Sequence, residues 1–119
     1  MAIREISVLV VRPGQAATLE RCQNTLEAFR KLCGCDWMER YMLGSVRGVE
    51  ARVDLWCDED ARLKEPLVPN RLIPELCLIH GTFVLTGLPD DQDEEGNGGD
   101  PTGVPLFDVQ RLIAALGTS

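Results

Sequence analysis

Apolar and polar positions alternate along this chain in short runs, and their spacing predicts its elements. The opening run "IREISVLVVRPG" (3–14) is rich in β-branched residues and closes at Pro13-Gly14, a turn signal. Residues 17–22 (ATLERC) read as a weaker returning strand. Leu26, Phe29, Leu32 and Cys33 then recur at helical spacing. Asn24 as N-cap, Glu27 three positions on and Gly34 as terminator bound a helix over 25–33. "DWMERYML" (36–43) reads as a strand partly covered on both faces, and "GSVRG" (44–48) turns it round. The cleanest alternation follows. Val49, Ala51, Val53, Leu55 and Cys57 face one way; Glu50, Arg52, Asp54 and Trp56 face the other. This predicts an antiparallel strand with one wet face, on which Trp56 is the odd member.

Pro66, Pro69 and Pro74 argue against a long regular element through 66–74, so the stretch up to His80 reads as an approach loop. β character returns in "TFVLTGL" (82–88). Residues 89–105 form an acidic, glycine-rich loop too polar to pack. Val109, Leu112, Ile113 and Leu116 then mark one face of a short C-terminal helix, with Asp108 as N-cap and Gly117 as stop. The order is β-β-α-β-β-loop-β-α. Short turns join neighbouring strands, which predicts an α+β fold: a mostly antiparallel sheet with two helices on one face, in a single domain spanning 1–119.

Charge sharpens this picture. Residues 90–100 hold six acids and no base, leaving −1 of the net charge of −7 for the rest of the chain. Without a basic stripe, direct contact with a nucleic-acid backbone is not expected. No apolar run approaches the ~20 residues of a membrane span, and Arg4 and Glu5 interrupt any signal-peptide core. The five cysteines, Cys22, Cys33, Cys35, Cys57 and Cys77, are an odd set without framework spacing. They read as free thiols in a reducing compartment, which places the protein in a cytoplasm.

Candidate chemistry is sparse. His80, the one histidine, has Thr82 and several acids nearby but no nucleophile elbow and no second histidine, so no catalytic residue is assigned. Cys33, Cys35, Cys77 and His80 could together make a tetrahedral zinc set, though the cysteines also suit core positions. No metal ligand or cofactor is assigned on that basis. Asp91, Asp93 and Glu95 mimic the start of a calcium loop, but Thr102 stands where the bidentate glutamate belongs. Together with Glu94 they read as a solvated charge run able to meet a basic partner. Asn70 and Arg71, in "PNR", have two readings: an internal pair of Arg71 with the Asp58–Asp60 turn, which is preferred, or an anion-binding corner beside Gly81 and Thr82. Tyr41 and Trp56 are expected to share an exposed sheet face. The acids around them suit protein contact or a homodimer better than base stacking.

"VRPG" (11–14), "NTLEA" (24–28), "CDEDARL" (57–63), "PNR" (69–71) and "GTFVLTG" (81–87) occur in the order and spacing of a known family. Over residues 3–88 the chain resembles the domain-of-unknown-function family numbered 3846, small proteins found largely in phages, plasmids and integrative elements. The resemblance implies a mobile-element accessory protein and brings no activity and no catalytic residues. The expectation is therefore a non-enzymatic protein that binds and modulates a host protein, such as a defence or nucleic-acid-handling factor. Two alternatives stand beside it: a binder of a nucleotide-like ligand, and a zinc-stabilised interaction module.

Overall fold

The computed structural model describes residues 4–87 and 103–119. Its elements are β1 (Glu5–Val11), β2 (Thr18–Gln23), α1 (Leu26–Cys33), β3 (Met38–Val46), β4 (Val49–Asp58), β5 (Pro69–Ile73), β6 (Cys77–His80), β7 (Phe83–Gly87) and α2 (Val109–Leu116). Two single turns of 3-10 helix, Ala61–Leu63 and Leu106–Asp108, complete them. Five strands form one sheet in the order β2-β1-β7-β4-β3, and β5 pairs with β6 in a separate hairpin. Every pairing is antiparallel. The fold is α+β, as the alternation predicts.

The helices correct one expectation: they lie on opposite faces of the sheet. Ile6, Val8 and Val10 of β1 and Val84 of β7 pack with Phe29 of α1. Leu9 and Val11 of β1, with Phe83 and Leu85 of β7, pack with Val109, Leu112 and Leu116 of α2 and with Ile73 and Ile79 of the hairpin. Central strands with apolar side chains on both faces need cover on both. The continuous run "ISVLVV" already carried that requirement, and one helix cannot meet it.

Other local corrections follow from caps and turns. The N-cap of α1 is Thr25, whose hydroxyl accepts from Ala28 N at 3.1 Å, one residue past the expected Asn24. Gly34 ends the helix in the left-handed conformation, φ 64°, as its position suggested. Strand β3 runs on to Val46 through an irregularity at Leu43–Ser45, so only Arg47 and Gly48 turn the chain. Both have positive φ, 50° and 82°, the geometry of a tight two-residue hairpin turn. The expected loop before residue 80 contains the β5–β6 hairpin. Pro69 opens β5 beside an irregularity in its pairing, and Pro74 sits in the turn, so neither proline interrupts a ladder.

Candidate functional site

Asn70 and Arg71 are buried, and together they lock four parts of the chain. Arg71 donates from Nε to Leu116 O (2.9 Å), from Nη1 to Arg12 O (3.1 Å) and Asn70 Oδ1 (2.6 Å), and from Nη2 to Gly117 O (2.6 Å) and Gln15 O. A guanidinium has five N–H donors, and each is met by an oxygen. Asn70 Nδ2 donates to Val11 O and Gly81 O, both at 2.8 Å. The expected pair with the Asp58–Asp60 turn is thus replaced by carbonyl oxygens. Two of those carbonyls terminate α2, where the negative end of the helix dipole compensates a cation that lacks a carboxylate partner. No N–H of Arg71 is left to meet an anion beside Gly81.

Arg47 fastens the same helix end from outside, donating to Ala115 O (3.2 Å), Leu116 O (3.0 Å) and Leu72 O (2.9 Å). Glu75, in the β5–β6 turn, accepts from Arg47 N (2.8 Å), Gly48 N (2.9 Å) and Ser45 Oγ (3.0 Å). These donors, the Gly48 amide foremost, hold its carboxyl down at about 2.

Tyr41 and Trp56 do not share a face. In the β3–β4 register Trp56 lies opposite Arg40, while Tyr41 lies opposite Leu55. Cross-strand partners point to the same side and alternate residues to opposite sides, so the two aromatic rings are separated by the sheet. Trp56 sits under α1, 5.1 Å from the Phe29 ring, with the Arg40 guanidinium 5.1 Å over it and its Nε1 donating to Thr86 Oγ1 at 3.0 Å. Asp54 is fully buried on this face and accepts from Arg40 Nε at 2.9 Å. Burial pushes its carboxyl upward against the pull of Arg40. The wet face of β4 therefore extends only over Glu50 and Arg52. Alternation could not register a helix arriving from elsewhere in the chain.

Two concavities flank β6. Gly81 and Thr82 line a cavity of about 370 Å³ with Lys64, Val68, Pro13 and Cys33. Lys64 bridges there to Asp58 at 2.6 Å. A smaller cavity of about 140 Å³ lies between β6 and the β3–β4 ribbon and contains His80. Cys33, at the end of α1, packs on the α1 side of the sheet, whereas Cys77 packs against the core on the α2 side. The proposed four-ligand set does not converge, and among the described residues no group of three or more His, Cys, Asp or Glu side chains is placed to hold a metal. Asp91, Asp93, Glu94 and Glu95 lie outside the described residues.

The feature that the sequence reading missed is a set of exposed apolar side chains on the β5–β6 hairpin and its lead-in. Leu63, Leu67, Val68, Leu72 and Leu78 are 81%, 54%, 45%, 56% and 41% exposed. Leu72 and Leu78 are cross-strand partners in the hairpin. Val68 precedes β5 at the far end of the hairpin, where its carbonyl accepts from Gly81 N at 2.8 Å, and Leu63 and Leu67 lie in the lead-in. The available signal was five large apolar residues in a stretch held open by three prolines. Such a stretch has more apolar side chains than a hairpin with one inner face can bury.

The family model for DUF3846, a domain of unknown function, matches residues 5–100. The chain belongs to this family. The match runs on from the resembling motifs through the acidic stretch and stops short of α2, whose helix end the Arg71 clamp of the DUF3846 region holds. No curated protein and no solved structure matches the chain. Among the described residues, no helix is long and apolar enough to cross a membrane.

Proposed function

We propose that this DUF3846 protein is a non-enzymatic accessory factor of a phage or other mobile element that works by binding a host protein. The observation that carries this reading is the exposed apolar set Leu63, Leu67, Val68, Leu72 and Leu78, of which Leu72 and Leu78 are cross-strand neighbours. Several large aliphatic side chains held outward on one hairpin and its lead-in are the mark of a protein contact rather than of scattered surface residues. The aromatic sheet face no longer serves, because α1 covers Trp56. The partner offers an apolar surface to meet these side chains and basic groups to match the acidic segment 90–100 of the sequence.

The test compares the full chain with a Leu72→Glu/Leu78→Glu variant in capture from host lysate, with bound proteins identified by mass spectrometry. A partner held by the parent and lost by the variant supports the reading, given that both fold equally by circular dichroism. Retention of every captured protein by the variant refutes it. A second set, with residues 90–100 replaced by a neutral linker, separates the acidic segment's contribution.

The cavity at Gly81 and Thr82 favours a second reading, in which a small nucleotide-like ligand binds there with Lys64, not Arg71, as its cation. A ligand at ~100 times its dissociation constant adds about 2.7 kcal/mol of stability, visible as a thermal shift. Absence of any shift across a panel of nucleotides removes this reading.

A further inference from the structure

The five-stranded sheet ends at β3, and among the described residues no strand pairs with the outer edge of β3. Trp37 O accepts from Glu59 N at 3.0 Å, so the residue before β3 already turns its carbonyl toward the β4 side. Bonding residues alternate along an antiparallel ladder, which leaves Met38, Arg40 and Met42 with their N–H and C=O groups directed away from β4. Proteins guard such an edge with an outward charge, a proline or a bulge. Residues 38–43 contain no proline and pair regularly, the irregularity coming only at Leu43–Ser45. Both of their charges are engaged over the sheet faces. Arg40 reaches back to Asp54, with Nη2 2.5 Å from Oδ2 and the guanidinium over Trp56. Glu39 accepts the Tyr41 hydroxyl and lines the cavity of about 140 Å³. Met42 is 68% exposed, and Trp37, just before the strand, is 62% exposed. The opposite edge differs, since β2 displays Arg21 beside Glu5, both more than half exposed.

We propose that the outer edge of β3 is a homodimer interface, where a second copy of the chain adds its own β3 antiparallel and joins the two five-stranded sheets into one. Pairing about a two-fold axis is isologous, so the strand must be complementary to itself. In a register centred on Tyr41 it is. Tyr41 lies opposite Tyr41 of the second copy, Arg40 opposite Met42, and Glu39 opposite Leu43. No like charges meet, and Arg40 and Met42 exchange their outward hydrogen bonds between the copies. Centring on Arg40 or on Glu39 instead sets two like charges against each other. Centring on Met42 carries the pairing into the Leu43–Ser45 irregularity. The pattern of β3 therefore fits a copy of itself in one register, with Met42 of each copy brought against the other strand. The inference concerns β3 and not the β5–β6 hairpin of the proposed function, and its test needs no other partner.

The experiment is sedimentation equilibrium on the native full chain, paired with amide hydrogen exchange followed by NMR. The unaltered chain is expected to reach twice its monomer mass as its concentration rises. On dimerisation the outward Arg40 and Met42 amides are expected to exchange about tenfold more slowly or slower still. Met42→Lys, at an exposed position, sets a cation opposite Arg40 of the second copy twice over and is expected to weaken the dimer by about tenfold. Leu19→Lys, at an exposed position on the β2 edge, is expected to leave the dimer as it was. A chain still monomeric at about 1 mM overturns the proposal, whatever other strand the edge accepts. So does a dimer whose Arg40 and Met42 amides stay unprotected, or one that Leu19→Lys dissociates and Met42→Lys does not. The mass and the amide exchange of the unaltered chain decide the matter even where a variant fails to fold.

Discussion

Arg71 shows how far a residue's type and neighbours reveal its role. An arginine after Pro-Asn, near a glycine, fits an anion site as readily as a structural clamp, because the same planar fork serves both. The fold decides between them by bringing the carbonyls of Arg12, Gln15, Leu116 and Gly117 around one guanidinium. Those carbonyls come from two segments, each far from Arg71 in the chain, so no local pattern could contain the answer. Arg71→Lys keeps the charge but has three donors for five acceptors, leaving buried carbonyls unpaired. The expected loss is about 3 kcal/mol, read from the shift in the urea midpoint at unchanged slope. A change below about 0.5 kcal/mol shows that water replaces the fork. Leu112, fully buried against the sheet, was legible from its helical spacing alone. Leu112→Ala is expected to cost 2–5 kcal/mol in the same measurement, about as much as other fully buried leucines.

At the scale of elements, the strands and helices that follow from periodicity are all present, and the misplaced features are those set by other elements. The helix stripes Leu26–Cys33 and Val109–Leu116 and the β4 alternation are properties of one segment and could be read from it. The β5–β6 hairpin could not, since its prolines argue against a strand until the pairing shows them at an opening position and in the turn. The turns report on each other through Glu75, which ties the β5–β6 turn to Arg47 and Gly48. Its carboxyl, ordinarily near 4.5, is held at about 2. Between those values the unfolded chain binds more protons than the native one, so the stability this carboxylate supplies is present above about pH 4.5 and lost as pH falls toward 2. Glu75→Gln is expected to flatten that part of the stability profile, measured as urea midpoints at pH 6 and pH 3. An equal acid sensitivity in parent and variant shows that other carboxylates control it. The exposed pair Leu72 and Leu78 belongs to this scale too: neither residue is notable alone, and the hairpin register makes them neighbours.

The whole molecule is a sheet held between unlike layers, α1 on one face and α2 with the β5–β6 hairpin on the other. Because Arg71 and Arg47 join α2 to the hairpin, the β1–β2 loop and the β3–β4 turn, these parts are expected to unfold together. Far-ultraviolet circular dichroism and the fluorescence of Trp56, packed on the opposite face, are then expected to give coincident urea transitions. Separate transitions mean that the two faces open independently. Composition determined the acidity and its concentration at 90–100, which depend on residue identity alone. The motifs determined the family, since order and spacing survive without coordinates. Alternation and helical spacing determined the strand and helix segments, because each is a repeat of side-chain direction along the backbone. Tertiary structure alone decided which faces are covered, that Arg71 meets carbonyls, and that Trp56 is sheltered. Each of these is a meeting of residues far apart in the chain, and it exists only once the backbone has closed around them.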